Sequence, residues 1–89
     1  FRFKDENKSE NIKTTKEKLN NLVDLIPNLK SMEVGVNFTQ SERAFDMSLY
    51  STFDTEDDLK AYAVHPEHLK VVEFIKLVTL ESKVVDYIL

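Results

Sequence analysis

The sequence predicts a small α+β domain with its elements in the order β-α-β-β-α(α)-β. Three observations carry that prediction. Two stretches between residues 29 and 53 alternate apolar and polar side chains, two others repeat apolar residues at helical spacing, and Pro27 and Pro66 fall at the boundaries.

Eighty-nine residues make one domain, residues 1–89, with no linker, repeat or low-complexity tract. A chain of this size buries only roughly 60–65% of the surface its unfolded form exposes. With no cysteine to form a disulfide or thiolate metal site, association with another chain is the expected supplement. The absence of cysteine also fits a cytoplasmic location. The net charge is −4, and the densest basic group, Lys13, Lys16 and Lys18, is interleaved with Glu10 and Glu17. That pattern is a solvated helix face and not a phosphate-binding stripe. No apolar run approaches the ~20 residues that span a bilayer, so no membrane partner is predicted.

Taken in order, Phe1-Arg2-Phe3-Lys4 alternates as a half-buried strand. The chain opens inside that strand, so the first strand is expected to be truncated at its N-terminus. Ser9 is the expected N-cap of a helix over residues 9–25, with Ile12, Leu19, Leu22, Val23 and Ile26 at helical spacing before Pro27. Residues 29–38 alternate, with Met32, Val34, Val36 and Phe38 on one face. After a polar loop at 39–42, Phe45, Met47, Leu49, Ser51 and Phe53 share a face of the next strand, which makes an antiparallel hairpin. Thr55-Glu56-Asp57-Asp58 starts a short helix in the manner of a capping box. His65-Pro66 interrupts it, and Pro66 suits the first position of a second helix running to about Thr79. Residues 83–89, β-branched and alternating, read as the last strand.

With right-handed crossovers this order gives a four-stranded antiparallel sheet with helices on one face, the ferredoxin-like arrangement. The helix-free face would carry Glu33, Asn37, Asp46, Ser48, Tyr50 and Tyr87, flanked by Val85 and Leu89. Packing that face against a second copy would bury the aromatics and extend a thin core, so a homodimer through the open sheet face is predicted.

The chemistry concentrates in Tyr62-Ala63-Val64-His65-Pro66-Glu67-His68, which holds both histidines of the chain. His68 precedes Val71, Val72 and Ile75 on one side of its helix and so points toward the sheet. An imidazole there can act as a general base if a partner holds one tautomer, and Asp86, sharing a strand face with Val84 and Ile88, is the natural partner. The plainer explanation is a satisfied core histidine. Tyr62 is either an aromatic core residue with its hydroxyl at the surface or a second site residue. His65 is read as a cap for the helix at Pro66. His65-x-x-His68 lacks the carboxylate and spacing of a metal site, so neither metal nor cofactor is predicted. Nucleic acid is set aside as well: Ala44-Phe45-Asp46-Met47-Ser48-Leu49-Tyr50 lacks the glycine-aromatic signature and positive charge of an RNA-binding sheet.

Phe1-Arg2-Phe3-Lys4-Asp5, Ile26-Pro27-Asn28-Leu29, Glu33-Val34-Gly35-Val36-Asn37, Ala61-Tyr62-x-x-His65-Pro66-x-His68 and Val84-Val85-Asp86-Tyr87 together resemble the stress-responsive A/B barrel (dimeric α+β barrel) family. The match runs the length of the chain. The resemblance implies a ferredoxin-like subunit whose sheet packs on a second subunit's sheet, with a pocket between sheet and helices. In the plant polyketide-cyclase branch a tyrosine and a histidine corresponding to Tyr62 and His68 act on a linear polyketide, and an aspartate corresponding to Asp86 supports the histidine. Two departures stand against a full transfer. That branch has a further histidine early in the first strand, before this chain starts, and another in the third strand where Met47 stands here. Other plant relatives are stress proteins that assemble into larger rings.

Two classes of function therefore stay open. One is a homodimer with a small-molecule pocket lined by Phe1, Phe3, Leu22, Val34, Met47, Tyr62, His68 and Ile75, taking a small apolar or carbonyl ligand and performing acid–base chemistry on it through His68 and Asp86. The other is a non-catalytic structural or stress-response oligomer. A ligand-sensing regulatory module ranks behind both, because no effector domain accompanies it. An open cavity with the His68 ring and the Tyr62 hydroxyl at its wall, with a volume on the order of a few hundred Å³, would favour the first class.

Overall fold

A computed structural model describes residues 1–89. Its elements are β1 (Arg2–Phe3), α1 (Lys8–Leu25), β2 (Ser31–Val36), β3 (Met47–Thr52), α2 (Glu56–Ala63), α3 (Pro66–Val78) and β4 (Thr79–Glu81). The predicted order holds, and the two proline boundaries hold with it. Ile26 leaves α1 with φ −121°, as a residue before proline must, while its N–H still bonds the Leu22 carbonyl at 2.9 Å.

Two antiparallel ladders form, β1 with β4 and β2 with β3. They are joined through Phe1 and Met47. The Phe1 nitrogen donates to the Met47 carbonyl at 2.9 Å, and the Phe1 carbonyl accepts from the Asp46 and Met47 amides at 2.9 and 3.3 Å. Asp46 adds a side-chain clamp, its Oδ2 accepting from the Phe3 N–H at 2.7 Å. Those bonds place the strands in the order β4-β1-β3-β2, the ferredoxin-like order. The helices pack on one side, α1 against β1, β2 and α3, and α3 against β4.

The core follows the apolar stripes. Thr15, Leu19 and Leu22 of α1 are buried at helical spacing and meet Phe3, Val34 and Met47 of the sheet and Val71 and Ile75 of α3. Thr15 is the exception in kind. Its hydroxyl is sealed from solvent and has no hydrogen-bond partner.

Four expectations need correction. Ser9 does not cap α1; Asn7 holds the N-cap position without a side-chain cap bond, in the left-handed region at φ 53°, which asparagine tolerates better than most residues, and Ser9 lies inside the first turn. The hairpin loop is longer than residues 39–42. Asn37 closes a side-chain turn over Thr39, and Ser41 turns the chain to Ala44, so Phe38 stands 97% exposed instead of sharing the buried face of Met32 and Val34. Phe45 leaves the β3 pattern too. It precedes the strand, and the Arg2 guanidinium sits 4.7 Å above its ring.

The fourth correction is the largest. The last strand is Thr79–Glu81, and residues 82–89 have no strand partner and are exposed throughout. The register explains it: Arg2 faces Glu81, so residues 83–89 would need a strand lying ahead of Phe1 to pair with. The alternation in that segment is a genuine strand pattern with nothing facing it.

Candidate functional site

The turn between α2 and α3 is built by two caps. The Thr55 hydroxyl accepts from the Asp58 N–H at 3.1 Å and starts α2. His65 is the N-cap of α3, its Nδ1 accepting from the Glu67 N–H at 3.1 Å, and Pro66 occupies the first helical turn. His65 thus has the local role its position predicts, and Pro66 supplies a residue without an N–H where none is needed.

His68 lies in the first turn of α3, half-buried, and its Nδ1 sits 3.0 Å from the Ala63 carbonyl oxygen. A carbonyl only accepts, so Nδ1 carries the proton and Nε2 presents a lone pair in the neutral ring. Nε2 makes no hydrogen bond within the chain. The orienting group is therefore a backbone carbonyl at the end of α2. A signal for it was available: the last carbonyls of a helix lack intrahelical partners, and proline in the next turn offers no amide.

Tyr62 is 6% exposed, between Phe53 at 5.2 Å and His68 at 4.3 Å, ring centroid to centroid. Burial pushes its phenol up to about 12, so the hydroxyl stays protonated throughout the physiological range. That hydroxyl has no partner in the protein. It also retains contact with solvent, since Thr15 Oγ1 is the side-chain atom that is both sealed and unpartnered. A neutral donor and a bare nitrogen acceptor stand on neighbouring rings tilted by 40°.

The remaining predicted site residues divide. Phe3, Leu22, Val34, Met47 and Ile75 are buried against one another, and Phe1 packs on their edge. They form the core, and Leu22 and Met47 each also reach the lining of a surface depression. Two depressions are formed largely by other residues: about 190 Å³ between α1 and α3, lined by residues such as Lys18, Leu22 and Val71, and about 340 Å³ around Gly35, Phe45 and Ser48. Neither is lined by Tyr62 or His68. Asp86 falls in the exposed segment after β4 and has no hydrogen bond or ion pair, so it does not meet His68 in this chain.

The family description "Stress responsive A/B Barrel Domain" matches residues 1–89. The chain belongs to that family. Among solved structures, a dimeric protein of unknown function and ferredoxin-like fold from Bacteroides fragilis is similar at 32% identity and a TM-score of 0.86, covering 98% of this chain and 87% of its own. A dimeric ferredoxin-like protein of unknown function from Thermobifida fusca is 25% identical with a TM-score of 0.79, covering 91% of this chain and 76% of its own. A protein from Arabidopsis thaliana, at 23% identity and a TM-score of 0.73 over 98% of this chain and 91% of its own, shares the fold. No curated protein matches. No helix is long and apolar enough to cross a membrane.

Proposed function

We propose that this A/B barrel domain works as a homodimer joined through the helix-free sheet face. In each copy, Tyr62 and His68 act together on a small carbonyl compound of polyketide-like character. The observation that supports the reading is the His68–Ala63 hydrogen bond, which holds the Nδ1 proton of the neutral ring and leaves Nε2 as the free acceptor beside a neutral phenol. In the reaction, Nε2 takes a proton from carbon next to the carbonyl, and the Tyr62 O–H donates to the oxygen on which negative charge develops. The relatives described as dimeric support the assembly.

We infer further that β1 continues ahead of Phe1 and that residues 83–89 pair with that extension. Arg2 and Glu81, 4.0 Å apart, lie on the face opposite buried Phe3, so residues 82, 84 and 86 would alternate toward the helices. A completed β4 would carry Asp86 along the helix-facing side of the sheet toward the N-terminal end of α3, where its carboxylate would stabilise the imidazolium formed on His68 after proton transfer.

The second reading, a structural homodimer without chemistry, is favoured by one observation: the space between sheet and helices is filled by side chains. A thermal-shift screen of 1,3-dicarbonyl and related metabolites, repeated on His68→Ala, separates the two. Stabilisation that vanishes with the imidazole supports the site. Equal responses from both proteins, or none from either, leave the structural reading standing. Sedimentation showing a stable monomer at micromolar concentration would remove the dimer from both.

A further inference from the structure

A protruding aromatic and a depression lie side by side at one end of the β2–β3 hairpin. Phe38 is 97% exposed, more than any other phenylalanine, tyrosine or isoleucine among the exposed large side chains. It is not loosely presented. The Asn37 carboxamide brackets it, donating to the Thr39 carbonyl at 2.7 Å and accepting from the Thr39 N–H at 3.4 Å, and the Asn37 N–H is tied to the Asp46 carbonyl at 2.9 Å. The residues just before it, Gly35, Val36 and Asn37, form one side of the depression of about 340 Å³, and Phe45, Met47 and Ser48 form the other. Gly35 keeps it open, because a Cβ there would meet the Ser48 hydroxyl at 3.0 Å.

We propose that Phe38 of one copy seats in this depression on a second copy, and the second copy's Phe38 in the first. The proposal rests on the homodimer reading above and locates part of its contact. A two-fold interface uses the same patch on both subunits, so it needs projection and receptor next to each other on one surface, as they are here. The chemistry matches: a rigid aromatic ring enters a site lined by Val36, Phe45 and Met47, beside Gly35 and Ser48. A fixed turn lowers the entropy lost on seating the ring. The dimeric relatives, one of them 32% identical over nearly the whole chain, point to a second copy as the occupant.

The test is sedimentation equilibrium of the whole chain and of Phe38→Ala. Phe38 is 97% exposed, so the variant should keep the wild-type circular dichroism spectrum. The dimer dissociation constant should rise roughly 30-fold or more, the loss of a central aromatic contact. A second measurement replaces Phe38 with photoreactive benzoylphenylalanine, and the crosslink should map to residues 35–37 or 45–48 of the other copy. A wild-type dimer that Phe38→Ala leaves unchanged, with crosslinks elsewhere, would overturn the seat but leave the homodimer intact. A wild type that stays monomeric at every concentration would overturn both.

Discussion

The Tyr62 ring lies 4.3 Å from the His68 ring, centroid to centroid, with 40° between their planes. Burial raises the Tyr62 phenol from 10.0 to about 12, so the folded chain holds this proton after the unfolded chain has released it. Stability is therefore retained below pH 10 and falls as the pH climbs from 10 to 12, by up to about 1.4 kcal/mol per unit. Phenolate absorbance should show one of the three tyrosines titrating near pH 12, and Tyr62→Phe should abolish that step. The variant should also flatten the alkaline loss of stability. A late step that survives in Tyr62→Phe would assign it to another tyrosine.

The second prediction concerns His65. Its Nδ1 satisfies the Glu67 N–H at the start of α3. His65→Ala removes that acceptor and should cost about 1 kcal/mol, a fall of roughly 4–8 °C in Tm for a domain of this length. His65→Asn, whose side-chain oxygen can take over the bond, should recover most of it. If alanine and asparagine melt alike, the cap contributes nothing measurable.

What was legible in the chain follows the range of the interaction involved. Thr55, His65 and Pro66 act within two or three residues, and their roles as helix starts could be read directly from spacing. The period-two runs placed Val34 and Met47 inward for the same reason. Phe38 was misread because a side-chain turn at Asn37 ends the strand before alternation does. Asp86 stands outside the sheet of this chain because its strand depends on which residues face it, and register is not a local property. The Ala63 carbonyl is a backbone acceptor, marked in the sequence only by the end of α2 and the proline that follows. The filled interior was equally hidden: apolar residues that line a pocket and those that close it look the same in sequence.

Thr15 yields the third prediction. Its hydroxyl is buried on α1 without a partner, so the folded state carries a desolvated polar atom that the unfolded chain hydrates. Thr15→Val has nearly the same shape and removes that cost. Chemical denaturation should show the variant more stable by about 1 kcal/mol or more, with an unchanged dependence on denaturant. Thr15→Ala is the control, since it removes the hydroxyl but also leaves a void, and it should fall below the valine variant. A valine variant no more stable than wild type would mean that the hydroxyl finds a partner in solution.

Asp46 carries the last prediction, because it ties the two ladders of the sheet together. Its Oδ2 accepts from the Phe3 amide at 2.7 Å, while its Oδ1 lies 3.6 Å from the Lys8 ammonium. A carboxylate accepting from a backbone amide at this distance is a charge-assisted bond, stronger than its neutral counterpart. Asp46→Ala leaves the Phe3 N–H unpaired beside a fully buried Phe3 side chain and should cost about 2 kcal/mol. Asp46→Asn keeps an acceptor but loses the charge, and it should fall between alanine and wild type. Hydrogen exchange gives the readout that a general loss of stability would not: the Phe3 amide should lose protection in Asp46→Ala by more than the Gly35 and Ser48 amides of the separate β2–β3 ladder. Equal loss across both ladders would show that Asp46 supports the whole fold and not the seam between its halves.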